Sequence, residues 1–191
     1  MSRRESGSRS GSSRDSLPAA TPTRPRSTRV ASRRRAGAKS IVGVISDTHG
    51  LLRPQAVAAL AGVDAIVHAG DIGAPEVLTD LARIAPVTAV RGNNDRARWA
   101  SRIPEAATVD VAGARLYVIH DRHALTIDPR AAGVAAVISG HSHRPSIEER
   151  DGVLFVNPGS AGPRRFTLPV ATARLRVARG VVTGEIVLLD V

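Results

Sequence analysis

The chain has 191 residues, 42% of them hydrophobic, and no cysteine. That is enough for one ordinary domain with a buried core and too little for a second enzyme domain, and it excludes disulfides, thiolate metal sites and a cysteine nucleophile. The formal net charge is +10, but residues 1–40 hold eleven basic and two acidic side chains (net +9) against sixteen and fifteen in residues 41–191 (net +1), so the excess belongs to a tail rather than to a folded nucleic-acid-binding surface, which the scarcity of aromatics (one Trp, one Tyr, two Phe) also argues against.

Residues 1–40, rich in Ser, Arg, Pro and Gly, show no apolar periodicity, and such a segment cannot bury enough surface to offset the entropy of ordering it. A disordered basic arm is expected there, and nucleic acid is expected as a partner only through it. The segment has the Arg- and Ser-rich composition of a transit peptide without its amphipathic stripe, and it lacks the apolar core of a secretory signal. No later apolar run approaches the roughly 20 residues that cross a bilayer. A soluble cytoplasmic protein with no membrane partner is expected, and self-association is left open.

From Ile41 the texture changes, which places a folded domain at residues 41–191. IVGVIS (41–46) reads as a strand buried on both faces. Residues 53–60, with Pro54 in the first turn, predict a short helix whose apolar positions are Val57 and Leu60. A second strand (64–70), a second helix (75–84) and a third strand (87–93) follow, the alternation of βαβ units and a partly parallel sheet. The rhythm then becomes hairpins: residues 108–120 turning at Ala112-Gly113, 146–157 turning at Asp151-Gly152, and 170–191 turning at Arg179-Gly180, with a short buried strand at 134–139 between the first two. An α/β first half and a hairpin-rich second half predict an α/β (α+β) domain of two packed sheets with helices outside.

The chemistry-bearing residues recur at the ends of these strands. In order they are Asp47-Thr48-His49, Gly70-Asp71, Gly92-Asn93-Asn94-Asp95, His120 and Gly140-His141-Ser142-His143. Core histidines satisfied by backbone would not gather at turns in this way. Asp47 and His49, like His141 and His143, are i and i+2, so on an extended chain each pair points to one side and can reach one cation. Asp71 has two oxygens and can bridge two cations, and Asn93 adds a neutral oxygen. Sharing Asp71 gives four protein ligands to each of two metals: Asp47, His49, Asp71 and His143 on one, Asp71, Asn93, His120 and His141 on the other. Imidazole and oxygen ligands without sulfur suit Mn²⁺, Fe, Zn²⁺, Co²⁺ or Ni²⁺ better than Ca²⁺ or Mg²⁺, and Mn²⁺ is the first expectation.

This ordered set, together with VHAGDIG, VRGNND, VISGHSHRP and VNPGSAGPRR, resembles the calcineurin-like metallophosphoesterase superfamily, and within it the small single-domain phosphodiesterase branch. The resemblance spans residues 41–190. It implies a β-sandwich flanked by helices, with the site on loops at the strand ends. It also implies phosphoester hydrolysis, most of all of phosphodiesters, by in-line attack of a hydroxide shared between two metal ions, for which Asp71, Asn93 and His120 are the catalytic candidates. The alternative is a protein-binding scaffold, the role this fold has in a retromer component, but here no ligand position is substituted.

Three departures qualify the resemblance. Asn94 stands where many members have a catalytic His, so diesters or activated leaving groups are expected. His120 is followed by Asp121-Arg122-His123 rather than Gly-His, which makes Arg122 a candidate for a phosphate oxygen. No general acid is evident, and His123 and Asp95 are the weak candidates. Asn94, Arg122 and Arg164 are the candidate substrate contacts, with Arg165 beside them. Asp95 is expected to orient the Asn93 loop through backbone amides, His68 to be a buried support rather than a ligand, Asn157-Pro158-Gly159-Ser160 to close the floor of the site, and Trp99 to anchor packing.

Overall fold

The computed structural model describes residues 39–191 and, before them, the backbone of one three-residue strand, β1 (Arg26–Thr28), which lies parallel to β5 (Ala106–Val111). Otherwise the expected tail lies outside the described residues. The domain is two mixed sheets face to face. One runs β11 (Val181–Leu188), β10 (Ala171–Ala178), β2 (Ser40–Ile45), β3 (Ala65–His68), β4 (Val87–Ala89). The other runs β1, β5, β6 (Ala114–Ile119), β7 (Ala136–Ile138), β9 (Val153–Asn157), β8 (Ser146–Arg150).

Between the sheets lies an aliphatic core drawn from both, including Val42, Val44, Val67, Val109, Leu116, Ile138, Val156 and Leu175. β2 shows how the sequence divides itself. Val42 and Val44 enter this core, while Ile45 turns to the opposite face with Ile66 and meets the helices, so the unbroken apolar run of 41–45 is explained by two buried faces. Gly43 has its own reason: a Cβ there would collide with the Leu60 side chain, so its absence sets how closely the first helix can lie on the sheet.

That helix, α1 (Pro54–Ala59), and α2 (Pro75–Ala82) cover the outer face of the five-stranded sheet. Each begins at a proline, whose missing N–H is no loss in a first turn. The expected apolar face of α1 is corrected in part: Ala56 and Leu60 are buried, i and i+4 on the same side, whereas Val57 is 37% exposed at the rim. Among the described residues no comparable helix covers the six-stranded sheet. Its outer residues Tyr117, Ile119 and Val137 pack instead under Leu125, Ile127 and Val134 of the loop after β6. The three hairpins fall where expected. Ala112-Gly113, Asp151-Gly152 and Arg179-Gly180 all have positive φ at both central residues, the geometry whose twist matches paired strands.

Function depends on direction. β2, β3 and β4 are mutually parallel, as are β6, β7 and β9 in the facing sheet. Each triplet releases its chain into a loop at its carboxyl end, and those six loops carry the residues singled out above.

Candidate metal centre

The loops after β2 and β7 bring Asp47 and His143 together, with His143 Nε2 3.2 Å from Asp47 Oδ1. His49 joins them, its Nε2 3.5 Å from that of His143 and its ring stacked on the other at a centroid distance of 5.3 Å. From the loops after β3, β4 and β6 come Asp71, Asn93 and His120. His120 Nε2 lies 3.5 Å from Asp71 Oδ2 and 3.2 Å from Asn93 Oδ1, and His141 Nδ1 approaches the same Asn93 oxygen at 3.1 Å. All seven expected ligands therefore meet, with the two imidazole groups joined through the carboxylates. Asp47 has an oxygen within 4.8 Å of donor atoms of His49 and His143 and one within 4.8 Å of those of Asp71 and His120, and Asp71 Oδ2 reaches His120 at 3.5 Å and His49 at 3.9 Å.

The means of convergence differs from the expected one. Asp47, His49, Asp71, His141 and His143 all have φ between 47° and 67°, in the left-handed region. The i, i+2 pairs therefore reach one point through tight reversals of the chain and not through the pleat of an extended strand. Asp and His tolerate this conformation better than most residues, yet each such position costs on the order of 1–3 kcal/mol and persists only if the surroundings over-determine it.

The surroundings do so. Asp95 is 5% exposed and accepts three backbone N–H groups, from Ile72 (3.1 Å), Gly73 (2.9 Å) and Gly92 (2.8 Å), tying the Asp71 loop to the Asn93 loop. Buried His68 works on the other side. Its Nδ1 accepts from the Gly70 N–H (3.2 Å), so its Nε2–H donates to Thr48 Oγ1 (2.9 Å), which in turn donates to the Ile72 carbonyl (2.9 Å). Burial pushes the His68 imidazole down to about 4, keeping it neutral, and the Gly70 N–H at Nδ1 selects that tautomer. Asn157 donates to the Gly140 carbonyl (2.7 Å) and Ser142 Oγ (3.0 Å), while Ser160 Oγ donates to the Asp47 carbonyl (2.9 Å). The floor residues and Asp95 thus do what the sequence suggested. Trp99 packs at the edge of the helical core.

Close approach also requires glycine. A Cβ on Gly140 would overlap Ser46 Oγ and lie 2.6 Å from Asp47 Oδ2, and one on Gly92 would lie 2.8 Å from Asp71 Cγ. These two glycines leave the carboxylates the room they occupy.

The site is polarised toward cations. Burial would raise the Asp71 carboxyl, but hydrogen bonding with His120 and from the Asn94 backbone (2.9 Å) and side chain (2.6 Å) outweighs it and holds the group well below the usual carboxylate range. Burial would likewise lower His120, yet hydrogen bonds to Asp71 and to the Ala69 carbonyl raise it. The ring places Nδ1 2.7 Å from that carbonyl, so Nδ1 carries the proton and Nε2 faces the carboxylates. His49 is lowered, first by burial, then by His143 and Arg165, against the pull of Asp71 and Asp47.

The residues fit a metal centre. Asp47 Oδ1 and His143 Nδ1 are buried without a hydrogen-bond partner among the described residues. An orphaned carboxylate oxygen surrounded by imidazoles has an unmet need for positive charge, and an N,O donor set without sulfur is the sort that first-row divalent cations take.

Several substrate and acid candidates are corrected. A cleft of about 260 Å³ opens over the centre, lined by Asp71, Asn93, Asn94, His141, His143, Arg165, Phe166 and Leu168. Arg164 is not among them, because its Nη2 donates to the Val191 carbonyl at 3.0 Å; the cation facing the cleft is Arg165. Arg122 pairs with Glu148 at 3.7 Å and, with His123, lines an adjoining hollow that meets the cleft only at His141 and Ser142. His123 is thus out of place as an acid for this cleft, and Asp95 has both oxygens committed to amides. Asn94 stays at the rim, but its side chain is engaged by Asp71. Phe166 and Leu168 escaped the sequence reading, the only signal being an aromatic residue in an otherwise polar turn.

Comparisons with known proteins bear on the family and the fold. Residues 41–180 match the calcineurin-like phosphoesterase superfamily domain. A probable metallophosphoesterase of Methanothermobacter thermautotrophicus is 37% identical over 141 residues, 68% of this chain and 81% of that protein. A phosphodiesterase of Methanocaldococcus jannaschii is 28% identical over 137 residues, 62% of this chain and 82% of the relative. Vacuolar protein sorting 29 of Cryptosporidium parvum, 18% identical, shares the fold with a TM-score of 0.64 over 80% of this chain and 99% of its own. With the family domain matched across nearly the whole described region, the chain belongs to the calcineurin-like phosphoesterase superfamily.

Proposed function

We propose that this chain hydrolyses phosphoesters, preferentially phosphodiesters, at a centre of two divalent cations, with Mn²⁺ the first choice. Asp47, His49, Asp71 and His143 hold one cation, and Asp71, Asn93, His120 and His141 the other. Asp71 is assigned the bridge because its Oδ2 faces imidazoles of both groups, whereas Asp47 Oδ2 accepts the His141 N–H at 3.1 Å. Bound cations would supply Lewis-acid stabilisation of the phosphoryl oxygens and an acidified water as nucleophile for in-line displacement.

The protein's own part is to hold donors and charge in place beforehand. His120 and Asn94 together keep Asp71 ionised, and the Ala69 carbonyl orients His120 as a ligand through Nε2. With Asn94 where an imidazole would otherwise face the leaving group, no acid stands ready for a poor one, which favours diesters and activated esters. The observation that carries the reading is the buried Asp47 Oδ1, which has no hydrogen-bond partner among the described residues although imidazoles converge on it, His143 Nε2 at 3.2 Å. The relative named a phosphodiesterase adds support. The shared fold with vacuolar protein sorting 29 favours the scaffold alternative, but the complete ligand set weighs against it.

The test is hydrolysis of bis-(p-nitrophenyl) phosphate by metal-stripped protein with each divalent cation added in turn. Mn²⁺ or Ni²⁺ is expected to restore turnover, Mg²⁺ to do so poorly, and Asp71→Asn to abolish it. Turnover by the stripped protein, or by Asp71→Asn at the wild-type rate, would overturn the proposal.

A further inference from the structure

Among the described residues, nine other than glycine have φ between 45° and 67°. Five are candidate ligands and three occupy hairpin turns, which leaves Phe166, at φ 53°. It sits at the second position of a four-residue turn closed by a hydrogen bond from the Leu168 N–H to the Arg165 carbonyl at 3.0 Å. Turns take Gly, Asn or Asp at such a position, and a bulky aromatic there is an outlier. Burial does not account for it, because Phe166 is 92% exposed. The ring is held in a costly conformation at the rim of the cleft over the metal centre, and strain of this kind gathers where a side chain is used.

The turn is secured nearby. Arg53 Nε donates to the Gly162 carbonyl at 3.1 Å, and Arg164 donates to Val191 at 3.0 Å. Arg165 lines the same cleft, and its charge is felt at His49, so a cation and an aromatic face adjoin the place where phosphorus would sit. The guanidinium repels a cationic arm such as a quaternary ammonium. At about 260 Å³ the cleft lies just below the usual range of ligand sites, on the scale of a phosphate and one ring system.

We propose that Arg165 and Phe166 form a substrate clamp: Arg165 meets a non-bridging phosphoryl oxygen and Phe166 offers its ring to a planar base, making the substrate a phosphodiester with a nucleoside arm. This rests on the phosphodiesterase reading and narrows it. Every base has a π-face, so a single ring confers preference for a nucleoside arm without choosing among bases.

The test is calorimetric titration, with and without Mn²⁺, of adenosine 5′-monophosphate against ribose 5-phosphate. Wild-type protein should bind the nucleotide about tenfold more tightly or better, the scale lost when an aromatic stacking partner is removed. Phe166→Gly should erase that difference, leave ribose 5-phosphate affinity unchanged and, by suiting the turn, not lower the melting temperature. Phe166→Trp should keep the difference, and Arg165→Gln should weaken both ligands alike. Equal affinities in the wild type, or a parallel loss of both ligands in Phe166→Gly, would overturn the clamp. If bis-(p-nitrophenyl) phosphate is still hydrolysed in that case, the phosphodiesterase reading survives; base-selective binding without hydrolysis would sink that reading and keep the clamp.

Discussion

Asp95→Asn isolates the tie between the two central loops. In the wild type, Oδ2 accepts from Ile72 and Gly92 and Oδ1 from Gly73, at 2.8–3.1 Å. A carboxamide has one oxygen. Placed at the Oδ2 position it keeps two bonds, now neutral, and turns its NH₂ toward the Gly73 N–H. Weakening two charge-assisted bonds costs on the order of 0.5–1 kcal/mol each, and one donor left unsatisfied adds about 1–3 kcal/mol, for a total of about 3 kcal/mol. Against the 5–15 kcal/mol of a typical domain this is a large fraction. Urea unfolding in EDTA at neutral pH reads it directly: with an m-value of roughly 2 kcal/mol/M the midpoint should fall by about 1.5 M at constant m. Mn²⁺ affinity should fall too, since the Asp71 and Asn93 loops are no longer held in register. A midpoint within 0.3 M of the wild type would mean that Asp95 does not bear these amides in solution, and the account of how the left-handed positions are held would fail with it.

Buried His68 predicts an acid limb in the stability of metal-free protein. Its folded value of about 4 lies below the unfolded 6.5, so between those pH values the unfolded chain binds the proton that the folded one refuses, and stability falls as pH drops through that window, by up to about 3 kcal/mol. Denaturant melts from pH 4 to 7 should show this slope reduced in His68→Asn; equal slopes would refute it. Gly140→Ala should cost about 1–3 kcal/mol of stability and most of the Mn²⁺ affinity, because the new methyl falls on Ser46 and Asp47. Gly62→Ala is its control, with positive φ but nothing within 4 Å of the added carbon, and should leave metal binding intact.

Much of this was legible in the sequence because strands and hairpins announce themselves locally. The run at 41–46 and the Ala112-Gly113, Asp151-Gly152 and Arg179-Gly180 turns need only near neighbours to be read. The seven candidate ligands were legible as a set because each follows a strand and because parallel strands share an exit edge. Their geometry was not. Left-handed φ at Asp47, His49, Asp71, His141 and His143 is imposed by contacts more than 20 residues away, such as Asp95 with Ile72 and Ser160 with Asp47. The arginines were least legible. A long side chain goes to whichever acceptor its loop brings near, so Arg164 turned to Val191, Arg122 to Glu148, and Arg165 was left facing the cleft. Phe166 was hidden for the opposite reason, since turn rules would have placed a smaller residue there.

The central claim is that seven side chains seat a pair of cations sharing Asp71. Mn²⁺ titration followed by electron paramagnetic resonance tests it most directly. Two ions per chain with an exchange-coupled spectrum, reduced in Asp71→Asn to at most one weakly held and uncoupled ion, is the predicted result. A single isolated Mn²⁺ in the wild type, or a coupled pair that survives Asp71→Asn, would contradict it.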